Sequence, residues 1–126
     1  MRSGHQTLAG LSVLVVEDEA FIAFALKTYL EEAGAKEVVT AGSLAETAQK
    51  LTEGRFDAAI VDVRLPDGEA YDMAASLIEQ DVSVVIHSGH ATSERNGQLA
   101  GAVFCAKPAT PDELLKAVLD ARTSRA

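Results

Sequence analysis

The chain has 126 residues, the length of one ordinary domain, and its 48% apolar content is enough to fill one hydrophobic core. Its 19 acidic and 11 basic side chains give a formal charge of −8, which disfavours binding to nucleic acid. The single cysteine, Cys105, excludes an intramolecular disulfide, and no segment has the apolar length of a signal peptide or a membrane span. We therefore expect a cytoplasmic protein with a folded domain over residues 11–121, a tail at 1–10 and a second tail at 122–126.

Strand-like and helix-like segments alternate along the sequence. Short apolar runs rich in valine predict strands that are buried on both faces, and the segments between them have helical spacing. Ser43 and Glu46 have the spacing of a capping box at the start of the second helix. The predicted strands are 11–16, 37–40, 58–63, 82–87 and 101–106, and the predicted helices are 20–33, 43–54, 71–80, 91–99 and 111–121. This alternation predicts one doubly wound α/β domain with a parallel sheet.

The fourth of these helices is poorly specified. Asn96 and Gly97 interrupt its pattern, so we expect it to be short or mobile. The first helix has a clearer pattern, with a predicted core face formed by Ile22, Leu26, Tyr29 and Ala33.

Polar side chains follow four of the predicted strands at the points where the strands end. Glu17 and Asp18 follow the first strand, and Asp62, Ser88 and Lys107 mark the ends of the third, fourth and fifth. Ligands of such sheets bind outside the carboxyl ends of the strands, so we expect these groups to converge there. Each residue alone could simply end a strand or cap a helix, but together they form a complementary set.

The predicted cluster has the composition of a magnesium site. Three close carboxylates repel one another unless a cation lies among them, and oxygen ligands suit Mg²⁺. The charge of −3 on Glu17, Asp18 and Asp62 would be balanced by +3 from Lys107 and Mg²⁺ together. Such a site could accept a phosphoryl group on a carboxylate, with Ser88 donating a hydrogen bond to a phosphoryl oxygen.

Four segments surround these strand ends: VLVVEDE (13–19), AIVDVRLPDG (59–68), VIHSG (85–89) and FCAKP (104–108). Through them nearly the whole chain, from about residue 11 to 121, resembles the receiver domain of two-component response regulators, including single-domain, chemotaxis-type members. The resemblance implies a flavodoxin-like (βα)5 fold with strand order 2-1-3-4-5. It also implies a histidine kinase or histidine phosphotransfer protein as phosphodonor, a downstream protein target, and a monomer or weak homodimer.

The resemblance further assigns roles to individual residues. It implies that Asp62 is the phosphoacceptor, that Asp18 and Asp62 ligate Mg²⁺ directly, and that Glu17 acts through water. The backbone carbonyl of Arg64 would supply another ligand, and Lys107 would pair first with Asp62 and then with the phosphoryl group.

The resemblance also places Ser88 and Phe104 at the two switch positions of the family. Phosphorylation adds charge and acceptor oxygens, so Ser88 can move toward them and vacate space that Phe104 fills. The family usually has a cis bond between Lys107 and Pro108, and we expect one here.

Three features depart from the family pattern or extend it. The intervals of 26 residues from Asp62 to Ser88 and of 19 from Ser88 to Lys107 are each a few residues shorter than in chemotaxis-type members, which weakens any transfer of the usual fourth-helix dimer surface. Arg64 and His90 each lie two residues after a site residue, either as solvated loop residues or as groups that tune the lifetime of the phosphorylated form.

The third feature is a pair of aromatic residues on the first helix. Phe21 and Phe24 lie off the predicted core face, next to the Asp18 end. Scattered exposed apolar residues are normal on protein surfaces, but this pair could also be a docking patch for the phosphodonor.

Several other functions compete with a phosphoacceptor switch that acts through partner proteins. A magnesium-dependent phosphohydrolase of the haloacid dehalogenase type requires a second aspartate, as acid and base, two residues after the nucleophile, where this chain has Arg64. A nucleotide-binding or flavin-binding module requires a glycine-rich loop after the first strand, where this chain has Glu17, Asp18 and Glu19. We therefore expect that the protein is not an enzyme. A phosphorylation-independent scaffold, or a receiver excised from a longer regulator or hybrid kinase, stays open.

Overall fold

The computed structural model describes residues 8–89 and 99–125. In chain order its elements are β1 (Ser12–Val16), α1 (Ala20–Glu32), β2 (Glu37–Ala41), α2 (Leu44–Glu53), β3 (Ala58–Val61), β4 (Arg64–Leu65), β5 (Gly68–Glu69), α3 (Tyr71–Glu79), β6 (Ser83–Ser88), β7 (Val103–Ala106) and α4 (Pro111–Arg125). Five strands form one parallel sheet in the order β2-β1-β3-β6-β7. Counted within this sheet, that order is 2-1-3-4-5, which confirms the fold expected from the sequence.

Helices cover both faces of the sheet because successive strand side chains point to opposite sides. Val13 and Val15 pack on the side of α1 and α4, whereas Leu14 and Val16 pack on the side of α2 and α3. All four valine and leucine side chains are at most 1% exposed. The short apolar runs in the sequence therefore correspond to strands that are buried on both faces.

The core face of α1 differs from the predicted one. Leu26 and Ala33 are buried as expected, but Ile22 and Tyr29 lie at the edge of the face. The side chains that fill the core are Ala23, Leu26, Leu30 and Ala33. The Tyr29 hydroxyl donates a hydrogen bond to the Asp112 carboxylate of α4 at 3.0 Å, which keeps this ring at the rim, where its polar end reaches solvent.

Both ends of the domain extend beyond the predicted bounds. Leu8, which the sequence placed in a tail, is fully buried, and its N–H donates to the Ala33 carbonyl. The last helix continues to Arg125 rather than ending at Ala121. The predicted fourth helix lies almost wholly outside the described residues, as does His90. Among the helices of the described ranges, none has the length and apolar character needed to cross a membrane.

The segment after Asp62 forms a two-stranded antiparallel ribbon. Strands β4 and β5 pair Arg64 with Glu69 and Leu65 with Gly68, leaving a two-residue tip. Gly68 has a φ of 143°, a backbone conformation that favours glycine. The ribbon therefore turns sharply and leads the chain directly from the end of β3 into α3.

Candidate functional site

The polar residues that follow β1, β3 and β7 lie side by side at the carboxyl edge of the sheet. Hydrogen bonding between neighbouring strands continues one residue past the strand ends, since the Asp62 N–H donates to the Val16 carbonyl and the Lys107 N–H to the Ser88 carbonyl, each at 2.9 Å. The N–H of Glu17 is bonded in the same way to the last residue of β2. These backbone bonds fix where the three side chains start.

The Lys107 ammonium joins two carboxylates that come from different strands. Its Nζ lies 2.8 Å from Asp62 Oδ2 and 3.1 Å from Glu17 Oε1. The Glu17 side chain is 2% exposed, that of Asp62 9% and that of Lys107 22%, so water competes weakly for these contacts. The three groups form a partly buried ion cluster with one cation and two anions.

Backbone N–H groups hold the other carboxylate oxygens. The Glu19 N–H donates to Glu17 Oε2 at 3.2 Å, and the Arg64 N–H donates to Asp62 Oδ1 at 3.1 Å. Both oxygens of each buried carboxylate therefore have a donor. This arrangement fixes the orientation of the two side chains and leaves their remaining lone pairs for other ligands.

Asp18 completes a candidate metal site. One ligand oxygen from each of Glu17, Asp18 and Asp62 can be chosen so that all three lie within 4.8 Å of one another, and Asp18 is exposed. The three carboxylates and Lys107 sum to −3 + 1 = −2, which a divalent cation would neutralise. An all-oxygen set with one side open to water fits Mg²⁺, which usually keeps several of its water ligands.

The pKa values of Glu17 and Lys107 are both raised, which favours the neutral form of the acid and the charged form of the base. Burial raises the pKa of Glu17 above its ordinary value, although the Glu19 N–H and Lys107 oppose this effect. Burial alone would lower the pKa of Lys107, but its hydrogen bonds and charge interactions with Asp62 and Glu17 outweigh burial and raise it. Lys107 therefore stays an ammonium, while the Glu17 carboxylate is costly to keep charged without a further cation.

The two predicted switch residues lie on one face of the sheet near this cluster. Phe104 is the register partner of Ile86, two residues before Ser88, so both side chains start from the same side. Ser88 is 7% exposed and Phe104 is 45% exposed. The peptide bond between Lys107 and Pro108 is cis, as expected. Arg64 lies at the edge of the site with an exposed side chain.

His87 lies beside the site on the opposite face of β6, in register with Cys105. It is 4% exposed, and its Nε2 is the one buried side-chain nitrogen or oxygen in the described residues that lacks a hydrogen-bond partner. Burial and the charge of Lys107 lower its pKa, with Asp62 opposing them, which favours the neutral imidazole. The sequence placed His87 at a strand end but gave no signal for this unpartnered nitrogen.

The aromatic pair on α1 is exposed near the site. Phe21 is 84% exposed and Phe24 is 70% exposed, which confirms their predicted position off the core face. Phe24 also lines a cleft of about 260 Å³ that reaches Asp18 and passes Lys27 and Thr40. An apolar surface thus borders the acidic site directly.

Comparison with known proteins agrees with the fold. The family model described as response regulator receiver domain matches residues 13–119, which include every strand of the sheet except the first residue of β1. The chain belongs to this receiver family. Its acidic cluster, Ser88 and Lys107 therefore lie on the fold for which the sequence resemblance assigned them roles.

Curated relatives of this receiver domain are longer proteins. It is 32% identical over 107 residues to the alginate biosynthesis transcriptional regulatory protein AlgB of Pseudomonas putida, covering 81% of this chain and 24% of that protein. It is 31% identical over 121 residues to the DNA-binding transcriptional activator DevR/DosR of Mycobacterium tuberculosis, covering 91% of this chain and 56% of that protein. The receiver chain thus spans between a quarter and just over half of these relatives.

Solved structures show the same fold. A CheY-like response regulator receiver domain from Methanospirillum hungatei superposes with a TM-score of 0.81 at 25% identity, covering 93% of this chain and 97% of that one. The beryllofluoride-activated NtrC4 receiver domain dimer superposes with a TM-score of 0.76 at 28% identity, covering 91% and 98%.

The structure also shows a contact for Asp67, a residue to which the sequence assigned no role. Asp67, at the tip of the β4–β5 ribbon, accepts hydrogen bonds from the N–H groups of Leu44 and Ala45 at the start of α2. The partners are 22 and 23 residues apart in sequence, so no local pattern could have indicated this contact.

Proposed function

We propose that this receiver domain accepts a phosphoryl group on Asp62 from a phosphohistidine donor, with Mg²⁺ bound by the acidic cluster. The observation that carries the proposal is the ammonium of Lys107 held between Asp62 and Glu17, with Asp18 close enough to complete a cation site. Lys107 alone leaves this cluster with a net charge of −2. A divalent ion would neutralise that charge, and the same groups could then contact a phosphoryl group.

The residues divide the chemistry among themselves. A carboxylate oxygen of Asp62 attacks phosphorus, the bond from phosphorus to the donor's imidazole nitrogen breaks, and an acyl phosphate and a free histidine result. Lys107 is already bonded to Asp62 and stabilises the negative charge that develops on the phosphoryl oxygens. Asp18 and Asp62 would hold Mg²⁺ directly, with the Arg64 carbonyl and a water on Glu17. The metal supplies further charge neutralisation.

The phosphorylated state would be read as a change in packing. Ser88 lies at the end of the strand next to Asp62 and can donate to a phosphoryl oxygen, which opens space toward Phe104 on the same face. A few kcal/mol of differential contact is enough for such a shift to dominate the population. The NtrC4 receiver, 28% identical, is described as activated by beryllofluoride, a phosphoryl mimic, and this likeness supports a similar response here.

The chain would act through protein partners in the cytoplasm rather than turn over a small molecule. The exposed Phe21 and Phe24 beside the acidic site suit a docking surface for helices of a histidine kinase or a histidine phosphotransfer protein. The net charge of −8 gives no electrostatic support for direct binding to nucleic acid. A downstream protein would recognise the surface around Phe104.

Intact mass measurement after incubation with acetyl phosphate tests the proposal. We expect one added phosphoryl group that requires Mg²⁺ and is absent in Asp62→Asn. The matched control is Asp120→Asn, which removes an exposed carboxylate on α4 and should gain the phosphoryl group like the wild type.

Two results would contradict the proposal. An adduct that persists in Asp62→Asn would place the chemistry elsewhere. No adduct from either acetyl phosphate or a panel of phosphorylated histidine kinases would favour a scaffold that works without phosphorylation.

A further inference from the structure

The tip of the β4–β5 ribbon is fastened to the start of α2. Asp67 Oδ1 accepts from the Leu44 N–H at 2.8 Å, and Asp67 Oδ2 accepts from the Ala45 N–H at 3.0 Å. Ser43 Oγ accepts from the next N–H, that of Glu46, at 3.0 Å. Helix α2 therefore has two caps, one from its own preceding residue and one from the segment that follows Asp62.

The same segment carries Arg64, whose carbonyl is a proposed metal ligand. It is held at its start by the bond from the Arg64 N–H to Asp62 Oδ1 and at its end by the bond from the Ala70 N–H to the Val63 carbonyl. Asp67 anchors its far tip. The fit there is close, since a Cβ built on Gly68 would lie 3.0 Å from the end of the Leu44 side chain.

The start of α2 also borders the other acidic segment. A Cβ built on Gly42 would lie 3.8 Å from the Asp18 Cα and 3.8 Å from the Glu17 carbonyl oxygen. The helix start thus lies between the Glu17–Asp18 segment on one side and the Arg64 ribbon on the other. A tether between the ribbon and the helix sets the spacing of the two segments that would hold the cation.

We propose that Asp67 is a positioning residue for the metal site, acting through α2 and the β4–β5 ribbon without touching the ion. This inference rests on the proposed function, because it assumes that Asp18, Asp62 and the Arg64 carbonyl share a divalent cation. Removal of the tether frees the ribbon tip and lets the Arg64 carbonyl drift from the carboxylates. Outer residues that orient ligands commonly change metal affinity by about tenfold or more.

The test is a titration with Mn²⁺ in which free ion is measured by electron paramagnetic resonance. We expect Asp67→Ala to weaken Mn²⁺ binding by about three- to tenfold, below or at the low end of the range for such outer residues because Asp67 is exposed. Asp67→Asn, which keeps one acceptor oxygen, should show a smaller loss. The matched control is Ser43→Ala, which removes a cap from the same helix and leaves the ribbon untouched, so its affinity should equal that of the wild type.

Hydrogen exchange gives a second readout that does not depend on the metal. The amides of Arg64 and Ala70 should exchange faster in Asp67→Ala and should be unchanged in Ser43→Ala. Equal Mn²⁺ affinity in Asp67→Ala and wild type, or an equal loss in Ser43→Ala, would overturn the positioning role while leaving the metal site intact. Wild-type protein that binds no Mn²⁺ would instead overturn the metal site itself, and the inference with it.

Discussion

Two aspartates flank strand β3, and they differ in what surrounds them rather than in residue type. Asp57, before the strand, accepts a hydrogen bond from the Ser12 N–H at 2.8 Å, and its own N–H donates to the Ser12 carbonyl. Asp62, after the strand, meets the Lys107 ammonium and two further carboxylates. The first arrangement ties two strands together, whereas the second holds charge that is balanced only when a cation is added.

The contrast shows why the chemistry is expected at one edge of the sheet. In the part of the chain that the structure describes, Glu17, Asp18 and Asp62 are the single group of three acidic, histidine or cysteine residues close enough to share a metal ion. Parallel strands bring their carboxyl ends to the same edge, and three of the loops there begin with a charged residue. At the amino edge Asp57 already has backbone partners.

Separate substitution of the two aspartates should give the largest effects, with Asp62 needed for phosphorylation and Asp57 for stability. Asp62→Asn should abolish the phosphoryl adduct because the nucleophile is lost. Asp57→Ala should keep the adduct but lower the free energy of unfolding by about 1–3 kcal/mol, since the half-buried Ser12 N–H loses its acceptor. Intact mass and urea unfolding of both variants check this. Loss of the adduct in a folded Asp57→Ala protein would break the distinction.

Removal of the Lys107 ammonium should make the stability of the protein depend more strongly on Mg²⁺. Lys107→Met leaves the nearly buried Glu17 and Asp62 carboxylates without their cation, and we expect a loss of about 1–3 kcal/mol in unfolding free energy, less than for a fully buried pair because Lys107 is 22% exposed. Added Mg²⁺ should stabilise this variant more than the wild type. Urea unfolding with and without Mg²⁺ measures both effects.

The control for that experiment is Lys116→Met, which removes an exposed ion pair with Asp120 at 3.7 Å. Exposed pairs of this kind contribute about 0–1 kcal/mol, so its unfolding curve should stay close to that of the wild type and its response to Mg²⁺ should be unchanged. A Lys107→Met protein that behaves like Lys116→Met would show that the cluster carries no uncompensated charge.

Substitution of the aromatic pair Phe21 and Phe24 should distinguish docking of the phosphodonor from the chemistry at Asp62. Phe21→Ala with Phe24→Ala should slow phosphotransfer from a histidine kinase that phosphorylates the wild type by about tenfold, because interface aromatics often contribute more than 1 kcal/mol. The reaction with acetyl phosphate should be unchanged. Thr28→Ala, also exposed on α1, is the control. Equal slowing with both donors would point to damage to the site or fold.

The smallest expected effect is the pH dependence of the stability that Asp67 contributes. The N–H groups of Leu44 and Ala45 lower the pKa of Asp67 below its ordinary value in the folded state. Its charged form therefore adds stability above the unfolded pKa, and this contribution is lost as the pH falls from about 3.9 through the lowered folded value. The stability difference between wild type and Asp67→Asn should shrink over that range in urea unfolding. A difference independent of pH would exclude a charge contribution from this cap.

Much of the fold and the candidate site could be predicted because both follow from short-range patterns. Apolar runs gave the strands, and convergence of strand ends placed Asp62 and Lys107 together although they are 45 residues apart. The 100° spacing of helical side chains put Phe21 and Phe24 outside the core. The family resemblance supplied the strand order and the cis bond at Lys107.

The remaining features depend on contacts that leave no periodic signal. The buried face of α1 includes Ala23 and Leu30 in place of the predicted Ile22 and Tyr29. Apolar residues lie on more than one side of this helix, and only its packing against the sheet and α4 decides which side is buried. Leu8 looked like part of a polar tail, but it is buried beneath the end of α1. The bond from Asp67 to α2 joins a turn to a helix start, and only the three-dimensional arrangement brings these together.

The most direct test of the central claim is to locate the phosphoryl group. Protein treated with acetyl phosphate and Mg²⁺ would be reduced with borohydride, which converts an aspartyl phosphate to homoserine, and then digested and mapped by mass spectrometry. We expect homoserine at position 62 alone, and only in the sample with Mg²⁺. Homoserine at position 18 or 57, or a phosphoryl adduct that gives no homoserine at all, would contradict the assignment of Asp62 as the phosphoacceptor.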